Sequence, residues 1–434
     1  MTTADTRAAR PGGGTRPSAA RSASTTTSPS TSGGTRLLDR PATPYYLLLG
    51  ASTLLLVLGV VMVFSASSVT AFAFLGSSMA IVSKQAMWVL IGAPLLWCAS
   101  RLPVPAWRVV AYLALATSLA LLGLVAVAGT EVNGNRNWLD FGGPFRIQPS
   151  ELAKFSLVIW AADLLARKER LLTQWKHLLV PVVPVGFVII GLVLLGGDLG
   201  TAVILAAILG VLLYVAGAPL RLFVGAAVPA VLFVAWMINS RSERMSRITD
   251  WLHPEQADPL GGGLQALHGK FALASGGWWG VGLGGSKEKW GSLPEAHTDF
   301  IFAVIGEELG LVGTLAVLAL VGAVGYAGLR IAMGATDPFV RLAATGVTAW
   351  LLVQALVNIG AVLGILPIMG VPLPLVSYGG SALVPTMLAI GMLLSFARPP
   401  GSRFPRSRTT GRQRPPGRSA ARVAREARSR ERAG

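Results

Sequence analysis

The stretch YYLLLGASTLLLVLGVVMVFSA, residues 45–66, decides the fold. It carries no charged side chain and is long enough to cross a bilayer, since a transmembrane helix needs about 20 mostly apolar residues. Comparable runs follow at 79–99, 109–128, 151–166, 178–197, 199–217, 222–239, 299–329, 342–365 and 381–397. The composition agrees: 53% of the 434 residues are hydrophobic, only 13% are charged, and mean hydropathy is +0.60. A soluble domain carries about 25% charged residues, so a soluble multi-domain enzyme and a disordered or fibrous chain are both excluded. The expectation is an all-α, polytopic membrane protein of about ten transmembrane helices, with a long extracytoplasmic loop, 240–298, between helices seven and eight.

The formal charge of +17 is unevenly placed: residues 1–44 hold six Arg against two Asp, and residues 398–434 hold twelve Arg against two Glu. Basic tails of this kind do not point to nucleic acid. Both are rich in Ser, Gly, Pro and Arg and contain nothing to bury, so 1–44 and 398–434 read as disordered basic cytoplasmic tails flanking a membrane domain over 45–397. They suit anionic lipid head groups or an acidic cytoplasmic partner. A cleavable signal peptide does not fit, because the first apolar run begins only at Tyr45. Arg101, Arg108, Arg167, Lys168, Arg170, Lys176, Arg221, Arg330, Arg341 and Arg398 fall on one side of a ten-span arrangement, which the positive-inside rule makes the cytoplasm. Both termini then lie inside, and the connections 129–150, 240–298 and 366–380 face outward.

Several common chemistries are missing. There is no P-loop and no G-x-S-x-G elbow, the four His lack metal-ligand spacing, and the lone Cys98 supports neither a disulfide nor a thiolate metal site. Gly280, Gly282 and Gly285 match G-x-G-x-x-G, but in an outer loop with no strand before it. In the same loop Met245, Ile248 and Leu252 form one stripe beside Arg244 and Arg247, as in a helix lying on the membrane.

What remains is a set of ionisable residues at outer helix ends. Arg136, Trp138 and Arg146 precede a helix start at Pro149 and Ser150, and Glu151 and Lys154 then share one face. A free Lys154 one turn into the span would cost several kcal/mol, about 3 on the insertion scale. It requires either a structural pair with Glu151 or an anionic ligand. Asp299 opens the long eighth span above the small residues Ala303, Gly306, Gly310 and Gly313. It is either a helix cap or a reactive carboxylate. Of Glu307 and Glu308, at least one must face the interior. Gln354 and Asn358 share a helical face before the Gly/Pro-rich run 364–381, whose broken backbone requires burial or a cavity. With Ser377 they are the polar candidates there for contact with an amphiphilic substrate, and Asp198 adds a carboxylate near another outer end.

The runs VMVFSASS (61–68), NGNRNWLDFG (133–142), RIQPSELAKFS (146–156), GDLGT (197–201), GVGLGGSKEKWGSLPEAHTDFIFAVIGEELG (280–310), QALVNIG (354–360) and LPIMGVPLPLVSYGGS (366–381) resemble the shape, elongation, division and sporulation (SEDS) family. The resemblance spans residues 45–397 in order and is nearer to the family's division-type branch than to its elongation type. It implies a ten-helix peptidoglycan glycosyltransferase that polymerises lipid II on the outer face of the cytoplasmic membrane, at the septum, beside a class B penicillin-binding protein and other division-complex membrane proteins. It also implies that Asp299 is essential, that Trp138, Glu151 and Lys154 are family site residues, and that Arg136 stands one place before the family's Arg, where this chain has Asn137.

Such a reaction joins an acceptor 4-hydroxyl to a donor sugar that leaves a lipid diphosphate, so the donor already holds the energy and no ATP site is needed. An inverting displacement requires a base, for which Asp299 is the best-placed carboxylate. It also requires positive charge, from Lys154, Arg136, Arg146 or a divalent cation (Mg or Mn) with Asp299 as the candidate ligand. No tightly bound cofactor is expected. Asp299 and Lys154 are expected to pair at rest. The rival readings are a lipid II flippase, which would carry functional charges in both leaflets, and a non-catalytic division scaffold, which would tolerate loss of Asp299.

Overall fold

In the computed structural model the described residues are 42–398, apart from 133, 143–144, 173, 241, 254–255, 257–262 and 292. The tails expected at 1–44 and 398–434 lie almost wholly outside them. The helices are α1 (Thr43–Leu75), α2 (Ala80–Arg101), α3 (Val104–Ala128), α4 (Pro149–Arg167), α5 (Trp175–Leu179), α6 (Val182–Leu195), α7 (Leu199–Val215), α8 (Leu220–Asn239), α9 (Ser242–Leu252), α10 (Leu264–Gly276), α11 (Ile301–Gly334), α12 (Pro338–Val362) and α13 (Gly380–Ala397). Among the described residues eight segments are long and apolar enough to cross a membrane: α1, α2, α3, Lys176–Leu195, α8, α11, α12 and α13. The chain is a multi-pass, helical membrane protein. Two further helices, α4 and α7, coincide with expected spans but fall short by composition or by length.

The expected span least apolar in sequence is among the most deeply buried. From Pro149 to Leu165 only Leu152 and Leu164 of α4 are not buried, and α3, α7, α12 and α13 surround it. Charge within a membrane domain is tolerated where it faces protein and finds partners, and α4 obeys this at both ends. At one end Asp163, fully buried, accepts from Arg167 Nε (2.7 Å) and the Tyr112 hydroxyl (3.0 Å), while Arg108 reaches both Asp163 (3.7 Å) and Asp337 (2.9 Å). Asp163 is thus an internal tie between α3, α4 and α12, more than the mark of orientation its basic neighbours suggest.

Two outer segments differ from the all-helical expectation. Residues 130–147 form a small antiparallel sheet, β1 (Thr130–Val132), β2 (Asn135–Asp140) and β3 (Arg146–Ile147), with Val132 opposite Asn135 and Gly134 at φ 75° in the turn. An Asn-Gly pair between extended runs is the strongest short hairpin signal, so this element was legible in the sequence. The second difference is in α11, where Gly310 adopts φ 67°, ψ −161° and breaks the helix. The loop after α10 fills the break: Val281 N donates to Glu307 O (3.0 Å), Gly282 N to Glu308 O (3.1 Å) and Leu311 N to Gly277 O (2.9 Å). Backbone groups freed by a break at membrane depth need partners in protein, and here they have them.

This docking accounts for the first glycine of the motif. A Cβ at Gly280 would lie 2.1 Å from Glu308 O, so that position serves close backbone packing. Both glutamates are buried. Glu308 accepts from Lys289 Nζ (3.0 Å) and Ser65 Oγ (2.7 Å), and Glu307 from Lys287 N (2.8 Å) and Ser286 Oγ. The loop is thereby locked to α1 and α11. Gly282→Ala, at φ 93° with open space around it, should cost only the left-handed strain of about 1–2 kcal/mol. Gly280→Ala should lose that and about 1–3 kcal/mol more from overpacking. Thermal unfolding of the two variants in detergent measures the difference, and equal melting temperatures would contradict the docked-loop account.

Candidate active site

The turn 295–300 that leads into α11 is shaped by one strained residue. Glu295 sits at φ 54°, and its carbonyl accepts from Thr298 N (3.1 Å) and Phe300 N (3.2 Å). Non-glycine residues held in this region cost of order 1–3 kcal/mol and persist where the surroundings over-determine them. Here the surroundings are the irregular run 366–379, wedged between α1 and α7. A Cβ on Gly59 of α1 would meet Leu375 O at 2.7 Å, and one on Gly200 of α7 would meet Met369 O at 2.5 Å.

Three successive carbonyls of the turn are pinned from that side. His297 O accepts from Tyr378 N (2.9 Å), Thr298 O from Ser377 Oγ (2.7 Å) and Asp299 O from Asn358 Nδ2 (2.8 Å). With its backbone fixed in this way, Asp299 places its carboxylate on the wall of a cavity of about 790 Å³. Cations reach that cavity from α2 (Lys84), β3 (Arg146) and α9 (Arg244, Arg247), and Trp138 lines it from β2. Val203 of α7 with Val234 and Ile238 of α8 are among its apolar lining residues. The lining therefore combines charged and hydrocarbon groups, as an amphiphile requires.

The electrostatics single out Asp299. Desolvation, and then Glu295 and Asp198, push its carboxyl up while Arg247 pulls it down, and the balance leaves it at about 7. A carboxylate poised there exchanges a proton readily near neutrality. Asp198, on the same cavity, is committed elsewhere: it caps α7 through Thr201 N (2.9 Å) and accepts from Gln148 Nε2 (2.8 Å). Among the described residues no three His, Cys, Asp or Glu converge as a protein-held metal needs. A divalent cation at Asp299 would therefore draw most of its ligands from water and a substrate diphosphate, as Mg²⁺ commonly does.

A family model described as cell cycle protein, FtsW/RodA/SpoVE, matches residues 46–399. The chain belongs to this family. The probable peptidoglycan glycosyltransferase FtsW of Mycobacterium tuberculosis is 42% identical over 363 residues, 83% of this chain and 69% of that protein. Stage V sporulation protein E of Bacillus subtilis is 34% identical over 83% of this chain and 99% of its own length. Among solved structures, a chain of a peptidoglycan synthase complex that coordinates polymerization and crosslinking superposes with a TM-score of 0.67 at 28% identity, covering 81% of this chain and 97% of that one. The rod shape determining protein RodA of Thermus thermophilus gives 0.60 at 27% identity, covering 81% and 95%.

Within this FtsW/RodA/SpoVE fold the residues singled out in the sequence fall into two sets. Asp299, Trp138 and Arg146 line the cavity; Arg146 is also paired with Asp140 at 2.9 Å. Glu151, Lys154, Gln354, Asn358 and Ser377 lie behind its wall, each at most 5% exposed. Arg136 is exposed beside the cavity and is held by its backbone N–H to Gly196 O (2.9 Å). Lys154 is not paired with Asp299. Its Nζ donates to Glu151 (2.8 Å) and Gln354 Oε1 (2.7 Å) and lies over the Trp350 ring, while Gln354 Nε2 donates onward to Pro372 O (2.9 Å). The helical spacing of Glu151 and Lys154 made their pair accessible within α4, whereas Asp299 lies beyond the 366–379 run.

Lys84, Arg244, Arg247 and Glu295 were missed as cavity residues. Arg244 and Arg247 stood out only as the basic side of an amphipathic stripe, and nothing in the local pattern around Lys84 marks it. Lys154→Met strands a buried Glu151 charge and should cost about 3–5 kcal/mol, whereas Glu151→Gln with Lys154→Met should recover most of that loss. Detergent melting curves test both, and an unchanged melting temperature for the single variant would refute a structural pair.

Proposed function

We propose that this peptidoglycan glycosyltransferase uses Asp299 as the general base of lipid II polymerisation. The acceptor's 4-hydroxyl oxygen attacks the anomeric carbon of the donor sugar and its proton passes to Asp299. The carbon–oxygen bond to the diphosphate breaks, and the leaving group carries its charge toward Arg247. The observation that carries this reading is the Asp299 carboxylate, held on a pinned turn, on the wall of a cavity lined by both charged and apolar residues, with Arg247 close enough to act on it. Lys154, Glu151, Gln354, Asn358 and Ser377 act as positioning residues, through the 366–379 run, and not as ligands of the substrate. Val203, Val234 and Ile238 suit the lipid end of the donor.

A polymerase reading is favoured over a flippase because the charges at the far end of α4 neutralise one another around Asp163. We read α4 and α7 as spans as well, which makes ten, with both termini cytoplasmic by the positive-inside rule. The protein would act at the division septum, with a class B penicillin-binding protein cross-linking the new strands.

The test is glycan product analysis with purified protein, lipid II and the transpeptidase partner. Asp299→Asn should abolish product while folding survives, and full activity would end the base assignment. Because only the ionised carboxylate accepts a proton, kcat/KM should climb through about pH 7 and fall about tenfold per unit below it. Stability has the opposite sign. The folded state holds the Asp299 proton between about 3.8 and 7, so stability falls as pH rises through that window. Asp299→Asn should therefore raise the melting temperature at pH 8 and change it little near pH 4.

A further inference from the structure

The same cavity has a second place suited to a phosphate, built from elements that the Asp299 chemistry leaves idle. Gly379, Gly380, Ser381 and Ala382, the first turn of α13, line it. α13 is an 18-residue helix without a side-chain cap. The N–H groups of Ala382 and Leu383 turn back to Gly379 O (3.2 and 2.9 Å), and among the described residues nothing accepts from Gly380 N or Ser381 N. An uncapped N-terminus with free N–H groups is an anion site in waiting.

Two independent features at this place ask for a ligand. Ser381 is 9% exposed, lines the cavity, and its hydroxyl has no partner among the described residues. Lys84, on α2 and also on the cavity wall, is a cation without a partner there. Contacts bring α2 and β3 to the same wall as α13. A Cβ on Gly380 would lie 2.1 Å from the Trp88 indole, and Trp88 meets the Phe145 ring edge-on at 5.8 Å, next to Arg146. Glycine at 379, at φ 155°, where an added Cβ would meet only the Ala382 Cβ at 3.9 Å, leaves the backbone approachable.

We propose that the α13 N-terminus, with Ser381 and Lys84, binds a second diphosphate: that of the acceptor, the lipid-linked sugar whose hydroxyl is activated. This rests on the polymerase reading above. In polymerisation the donor's diphosphate is bonded to the reacting carbon and belongs near Asp299, where Arg247 acts on the carboxylate. The acceptor's diphosphate is separated by its own sugars from the hydroxyl that reacts and stays attached throughout, so it needs a holding site distinct from the leaving-group site. The cavity's cations come from α9 (Arg244, Arg247) and from α2 with β3 (Lys84, Arg146).

The probe is farnesyl diphosphate, titrated calorimetrically into the full chain in lipid nanodiscs, with farnesol as the control for tail binding. Wild-type protein should bind two equivalents and Lys84→Ala/Ser381→Ala one, with melting temperatures unchanged. Lys84→Arg should retain two. In polymerisation the double variant should raise KM for lipid II about tenfold, the loss expected for a charged contact, and leave kcat within about twofold. A single equivalent in the wild type, two in the double variant, or equal binding of farnesol would overturn the cradle. Asp299→Asn keeps the two outcomes apart. If it binds two equivalents but makes no polymer, both readings stand. If it still polymerises, the base assignment fails, whatever the binding count.

Discussion

The three backbone carbonyls of His297, Thr298 and Asp299, each held by a donor from Tyr378, Ser377 or Asn358, are the constraint on which the site depends. A carboxylate at the start of a helix would normally fold back as a cap and satisfy an N–H of its own first turn. Here the backbone is held from outside, and the side chain remains available to the cavity. The donors belong to α12 and to an irregular segment that could not exist at membrane depth unless protein enclosed it. The turn and the 366–379 run therefore stabilise each other, and neither would keep its shape alone.

Behind this contact runs a chain of buried polar groups: Glu151 and Lys154 on α4, Gln354 on α12, then Pro372 O. In a low-dielectric interior each link is costly to leave unmade, which couples the register of the central helix to the position of the 295–300 turn. A second locked network, Lys289 with Glu308 and Ser65, fixes the outer loop to the break in α11. The cavity between these braces combines a carboxylate, cations from α2, β3 and α9 and apolar lining residues, which suits a reaction between lipid-linked, diphosphate-bearing sugars.

Much of this was legible in the residues. The spans follow from composition, because lipid demands long apolar runs, and Asp299 was conspicuous as a carboxylate at the rim of one. The i, i+3 spacing of Glu151 and Lys154 pointed to their pair. The Asn-Gly at 133–134 signalled a hairpin that an all-helical reading passed over. Lys84 carried no such signal: one lysine on an otherwise ordinary helix becomes a cavity residue only because α13 packs along α2.

By itself the sequence determined a helical membrane protein, the faces and ends where charge could survive, and a carboxylate standing at the rim of a span, since these follow from the solvent and from local periodicity. Tertiary structure alone decided that Lys154 also reaches Gln354 and does not pair with Asp299, that Gly280 meets the broken α11, and that Lys84, Ser381 and Arg247 share one cavity with Asp299. Those contacts join residues far apart in the chain, and their distances depend on how whole helices pack, which no local pattern encodes.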